Sequence, residues 1–186
     1  MELVWIRNRS YNNPEPISER IQSASEAVDM IIEKVRNISA ELRPGVLDDL
    51  GLVSAIEWQT NEFQNRTGIK SKLKLEYGDS NLDRDVATGF FRVVKEALTN
   101  ISLHSNAKTV RVSLKESDGI LTLKVQDDGR GITEEQIKDP KSFGLAGMRE
   151  RAHALSGELQ IKGVPNRGTK LIFSIPLNRR DESPSK

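Results

Sequence analysis

Arg92, Glu96, Asn100 and His104 recur at four-residue steps, so on a helix they form one polar line along its side. Phe90, Val93, Ala97 and Ile101 supply the apolar face beside it. Asparagine competes for backbone hydrogen bonds and normally sits at helix caps, so Asn100 in mid-helix beside a carboxylate needs a reason. A magnesium ion would be one, because it takes oxygen ligands, keeps several waters and bridges nucleotide phosphates. Taken alone, such a line is more often a solvated helix edge than a metal site.

Further along, Asp127-Asp128-Gly129-Arg130-Gly131 follows a stretch whose alternate residues are Leu121, Leu123 and Val125. Continuing that alternation turns Asp127 inward, which sends a carboxylate into the core at the end of a strand. A buried carboxylate needs a partner. The exocyclic amine of adenine would donate a hydrogen bond to it, where guanine presents an oxygen. Gly129 and Gly131 would let the backbone turn tightly against such a ligand. In isolation this motif is no more than an acidic, glycine-rich loop.

The segment Gly144-Leu145-Ala146-Gly147-Met148-Arg149-Glu150-Arg151 places small residues at the start of a helix. Free N–H groups there form an anion site suited to phosphates, and Arg149 and Arg151 add positive charge. A plain helix start with solvated arginines accounts for it equally well. Thr169, opening the last strand after Gly168, shares a face with Leu171, Phe173 and Ile175, so its hydroxyl is expected to turn inward beside Asp127.

Each signal is weak singly, but together they resemble the catalytic domains of histidine kinases, in the wider GHKL group that includes Hsp90, DNA gyrase and MutL. Glu96-Ala97-Leu98-Thr99-Asn100 with His104 resembles the N box, Asp127 to Gly131 the G1 box, and Gly144 to Arg151 the G2 box. The nitrate-sensor and DesK-like subfamily is the most similar. There, Glu41-Leu42-Arg43-Pro44 followed by Leu47-Asp48-Asp49-Leu50-Gly51-Leu52 resembles the exit from the dimerisation helix.

This resemblance implies that Asn100 holds Mg²⁺, that Glu96 orients a metal-bound water or assists proton transfer, and that Asp127 reads adenine. It implies further ATP contacts from His104, Gly129, Gly131, Gly144, Leu145, Gly147, Met148, Arg149 and Thr169, with the glycines shaping a lid over the triphosphate. Phosphoryl transfer asks a protein mainly for positioning and charge stabilisation, which suits these residue types. The acceptor would be a histidine on a dimerisation helix, passing phosphate to the receiver domain of a response regulator. No histidine precedes His104, so this chain is expected to lack its own acceptor. Leu103 stands where the family usually carries Lys or Arg, so one phosphate contact is missing and ATP binding is expected either to be weaker or to rely on Arg149. The competing reading is a regulatory ATP-binding or dimerisation module without transfer activity.

The elements that must position these groups follow from periodicity. Ile17, Ile21, Ala24, Val28, Ile31, Val35, Ile38 and Leu42 alternate steps of four and three, the seam of a coiled coil, with Pro44 and Gly45 ending it. That seam predicts a homodimer through residues 17–42. A helix over 46–66 should bury Leu50, Val53, Ile56, Trp58 and Phe63, and a second should run from about Arg84 to His104. Strands are expected near 72–77, 109–115, 120–126, 158–162 and 169–175, with a loop over 127–143 and a helix from Ala146 to Leu155. The mixture of hairpins and crossovers indicates an α+β sandwich, one mixed sheet with helices on one face, which the resemblance names a Bergerat-type fold. Residues 1–45 then read as the remnant of the dimerisation element, 46–177 as the ATP-binding domain and 178–186 as a disordered tail.

Composition narrows the alternatives. The 28 basic and 27 acidic side chains nearly cancel, so no broad field attracts nucleic acid or an anionic membrane. The absence of cysteine excludes disulfides, thiolate metal sites and cysteine nucleophiles. Apolar runs stay far below the roughly 20 residues of a membrane span, so a cytoplasmic location is expected, with any membrane anchor of the parent protein left open.

Overall fold

The computed structural model describes residues 45–78, 82–139 and 142–177. The coiled-coil seam and the polar tail lie outside the described residues. Helix α1 spans Gly45–Thr67, β1 Lys70–Glu76, α2 Arg84–Asn100, β2 Thr109–Ser117 and β3 Ile120–Asp127. A short α3 at Glu134–Lys138, α4 at Phe143–Ala154, β4 at Glu158–Val164 and β5 at Gly168–Pro176 complete the order.

The five strands form one sheet in the order β1-β2-β3-β5-β4. Only β1 and β2 run parallel, and α2 makes the crossover that a parallel pair requires. The β2–β3 turn places Asp118 and Gly119 at φ 55° and 74°, the left-handed pair of a tight hairpin. One face of the sheet is apolar: Val110, Val112 and Leu114 lie beside Leu121, Leu123 and Val125, which in turn lie beside Leu171, Phe173 and Ile175. Lys124, Arg111 and Lys170 belong to the opposite set, so the sheet has one buried side, and the helices cover that side.

Helix α2 is the central element of the helical layer. Asp83 caps it, its Oδ1 accepting the N–H groups of Asp85 at 2.8 Å and Val86 at 3.3 Å. Its buried stripe of Phe90, Val93, Val94, Ala97, Leu98 and Ile101 packs on the sheet, with Phe90 meeting Phe173 edge-on at 4.8 Å between ring centres. Burying two such aromatic side chains contributes on the order of 3–6 kcal/mol. Gly89 permits α4 to approach, because a Cβ there would overlap the side chain of Leu155.

Three expectations about elements need correction. Helix α1 is not continuous: Gly51 adopts φ 77°, which glycine reaches without a Cβ penalty, and kinks it. The turns after the kink bury Leu52, Ala55, Ile56, Thr60 and Phe63 at helical spacing, which leaves Trp58 and Leu50 exposed instead of in the core. The second helix does not stay α-helical to His104, because Ile101–Ser105 widens into a π-helical turn ended by left-handed Asn106. The expected loop over 127–143 contains α3, and α4 begins at Phe143, three residues earlier than expected.

Candidate functional site

The alternation of β3 continues through its last residue, so Asp127 is buried at the sheet's end with only 4% of its surface exposed. Both carboxylate oxygens are held by the backbone: Oδ1 accepts the N–H of Gly129 at 2.8 Å and Oδ2 that of Thr169 at 3.1 Å. Thr169 thus reaches Asp127 as expected, but through its main-chain N–H and not its hydroxyl. The neighbouring Asp128 is exposed and ties the loop down, its Oδ1 accepting the N–H groups of Lys108 at 2.8 Å and Thr109 at 2.9 Å.

Close backbone packing shapes the loop after β3. A Cβ on Gly129 would overlap the carbonyl of Ser105, and one on Gly131, already at φ 79°, would overlap that of Val164. Arg130 donates its N–H to the Ser105 carbonyl at 2.7 Å. Ser105 also donates its hydroxyl to the Ile101 carbonyl at 2.7 Å, so the π-helical turn and the glycine loop share one anchor. Single π-helical turns often mark sites where an element is re-aimed for function, and this one carries His104.

A cavity of about 520 Å³ opens above Asp127, within the range of small-molecule sites. Its lining includes Asn100, His104, Asp127, Gly131, Gly144, Leu145, Met148 and Thr169, eight of the residues expected to act there. Val125, Ile161, Leu171 and the fully buried Met148 give it apolar walls, suited to the faces of a flat heterocycle. Asn100 donates its Nδ2 to Glu96 Oε1 at 3.3 Å, leaving its amide oxygen as an acceptor at the cavity wall.

Four expected residues do not line the cavity. Gly129 shapes the loop behind Asp127, and Glu96 accepts the Asn100 Nδ2 bond, its carboxylate also lying against Gly144. Gly147 lies in α4, where a Cβ would meet the Arg151 guanidinium at 3.1 Å. Arg149, expected at the phosphates, donates Nη2 to the Ile137 carbonyl at 2.7 Å. Leu103 is 69% exposed and likewise outside the lining. Residues with no role expected from the sequence also contribute: Ser105, Arg130, Ile132, Gln136, Asp139, Ser142 and Phe143. The signal for α3 is Thr133-Glu134-Glu135-Gln136, which forms a capping box with Thr133 Oγ1 accepting from Gln136 N at 3.2 Å.

The family model for histidine kinase-, DNA gyrase B-, and HSP90-like ATPases matches residues 85–179, a span running from the start of α2 past the end of β5. The chain belongs to this ATPase family. It is 34% identical over 163 residues to the signal transduction histidine-protein kinase/phosphatase DegS of Brevibacillus brevis, covering 88% of this chain and 42% of that one. It is 35% identical over 162 residues to the oxygen sensor histidine kinase NreB of Staphylococcus carnosus, covering 86% of this chain and 45% of that one. The chain therefore spans less than half the length of either relative. Among solved structures, the Acinetobacter baumannii histidine kinase AdeS superposes with a TM-score of 0.61 at 17% identity, over 95% of this chain and 92% of that one, a likeness of fold. Among the described residues no helix is long and apolar enough to cross a membrane.

The adjacent acids of this ATPase domain are pushed apart by their surroundings. Burial raises the Asp127 carboxyl above its ordinary range, against the pull of the Gly129 and Thr169 N–H groups, and the charge of Asp128 adds to the rise. Asp128 is held below that range, first by the N–H of Thr109 and, against slight burial, by that of Lys108. Between the ordinary and raised values the folded chain keeps a proton on Asp127 that the unfolded chain has released. Its contribution to stability is thus complete at low pH and lost as pH rises through the folded pKa. An Asp127→Asn protein lacks this proton, so wild-type stability relative to it should fall as pH rises from acid towards neutral. Unfolding midpoints across a pH series test this, and a difference that stays flat would show that Asp127 titrates normally.

Proposed function

We propose that this domain binds Mg-ATP and transfers its γ-phosphoryl group to a histidine of a dimerised partner helix, from which a response-regulator receiver domain takes it. The observation that carries the reading is Asp127, a buried carboxylate at the floor of a cavity sized for a nucleotide, with each oxygen fixed by a backbone N–H. Each oxygen keeps acceptor capacity, so the pair is pre-organised to take a hydrogen bond from the amino edge of adenine.

The residues present fit magnesium. Asn100 offers its amide oxygen beside the Glu96 carboxylate, and oxygen donors are what this ion prefers. Among the described residues no group of three or more His, Asp or Glu side chains stands ready to hold a metal. A site completed by nucleotide phosphates and water is therefore the one that matches, and the ion would there neutralise charge on the transferring phosphoryl group. Glu96, oriented by Asn100, is placed to receive a proton at its carboxylate. The α4 N-terminus, with the N–H groups of Gly144 and Leu145 at the cavity rim, supplies a partial positive charge for the phosphates. Arg130 and His104 are the basic side chains of the lining.

The two named histidine kinases among the relatives support transfer to histidine over a purely regulatory role. Homodimerisation through residues 17–42 belongs to the same proposal. The test supplies radiolabelled ATP together with a separate helical fragment carrying the acceptor histidine. Acid-labile phosphate is expected on that fragment and not on this chain, whose histidines are His104 and His153. Bound ATP with no phosphate on the fragment would leave the regulatory module as the answer.

A further inference from the structure

Helix α3 has an unusual support. It is five residues long, none of them buried, and a helix this short does not hold itself in water. The polar contacts at its two ends therefore add to the packing of the half-buried Ile137 in keeping it in place. At the start, Thr133 and Gln136 close the capping box. At the far end, three bonds arrive from α4 and its N-cap. Arg149 donates Nη2 to the Ile137 carbonyl at 2.7 Å, Ser142 donates its hydroxyl to the Gln136 carbonyl at 3.0 Å, and the Ser142 N–H reaches the Asp139 carbonyl at 3.0 Å.

The Arg149 contact does the most physically. A guanidinium satisfies a helix's terminal carbonyl and opposes the negative end of its dipole, and the bond is charge-assisted. Gln136 and Asp139, at the two sides of Ile137, both line the cavity, as do Ser142 and Phe143 at the head of α4. Phe143 is 80% exposed, so it adds little apolar packing to this rim.

We infer that Arg149 is a positioning residue that fastens α3 to α4 and so builds the outer wall of the nucleotide cavity before any nucleotide arrives. It acts through the Ile137 carbonyl and not on the phosphates. The inference about ligand affinity rests on the ATP reading above, but the inference about the wall does not.

Amide hydrogen exchange on the nucleotide-free protein tests the fastening directly. The Ile137 N–H, bonded to the Thr133 carbonyl at 3.0 Å, and the Ser142 N–H report on the two sides of the contact. Arg149→Ala is expected to speed exchange at both by about fivefold, the typical worth of one hydrogen bond, while amides of β3 and β5 stay unchanged. Arg149→Lys, which retains a charged donor, is expected to restore most of the protection. Arg149 is exposed, so the sheet should fold in either variant, and unchanged β3 exchange verifies this. Titrations with adenosine and ATP form the second arm. A wall-building role lowers affinity for both by similar factors, whereas a phosphate ligand loses ATP affinity alone. Unchanged exchange at Ile137 and Ser142 would overturn the inference, even if ATP binding falls. Faster exchange with no ATP binding in the wild type would instead uphold the fastening and sink the ATP reading.

Discussion

Asp127→Ala should weaken ATP and ADP binding by about 100-fold, as read by calorimetry, because three hydrogen-bond donors lose their acceptor, two that shape the pocket floor and one that belongs to the ligand. Two are visible in the structure, the N–H groups of Gly129 and Thr169, which now point at the carboxylate. The third is the adenine amine. Asp127→Asn is the more telling companion, since the amide keeps the shape but can offer an oxygen on one side only. In either orientation its amino group faces a backbone N–H, and where it replaces the oxygen offered to the purine amine it repels that group as well. Toward guanine the same amino group would meet an oxygen, so the preference for adenine over guanine nucleotides should shrink in this variant. Affinity for ATP that survives the alanine substitution intact would mean that the purine does not sit on Asp127.

Period makes this acid legible in the sequence. A strand turns alternate residues to the same face, and Leu121, Leu123 and Val125 commit β3 to a face that Asp127 must share. The same logic puts Phe90, Val93, Ala97 and Ile101 on the sheet side of α2, and turn chemistry puts Asp118-Gly119 between β2 and β3. The outer wall of the cavity is not legible, for the opposite reason. The Arg149 bond crosses 12 residues to a main-chain carbonyl, and no side-chain pattern advertises an acceptor that every residue possesses. Arginine near a glycine-rich helix start suggests phosphate binding because the local sequence shows the charge and conceals its partner. The kink at Gly51 is a similar case, since a lone glycine in a helical pattern is tolerated at a cost of about 1 kcal/mol and does not by itself announce a break.

The glycines mark where main chain meets main chain. Gly129 lies against the π-helical turn through Ser105, Gly131 against the end of β4 through Val164, and Gly168, at φ 87°, against the backbone of Asp127 and Asp128. Three elements distant in sequence are thereby locked around one carboxylate. That lock fixes the loop that follows β3 and holds the Asp127 carboxylate at the strand's end, the rigidity that a site built for orientation requires.

The same rigidity makes Asn100 the other position where one atom should decide the outcome. Asn100→Ala is expected to leave affinity for metal-free ATP within about threefold of wild type, because the proposed adenine contact at Asp127 lies on a separate element. The tightening that Mg²⁺ normally adds should largely disappear, and phosphoryl transfer to a supplied acceptor should drop by about two orders of magnitude. Two losses combine there. The amide oxygen offered to the ion is gone, and the Glu96 carboxylate loses the Nδ2 donor that orients it at 3.3 Å. The two are separable with Glu96→Gln, which keeps Asn100 and its oxygen but gives up the proton acceptor. That protein should retain the Mg²⁺ effect on binding and lose transfer. If Asn100→Ala preserved the ratio of affinities with and without Mg²⁺, then Asn100 would be in mid-helix solely to orient Glu96, and the ion would have to be held elsewhere.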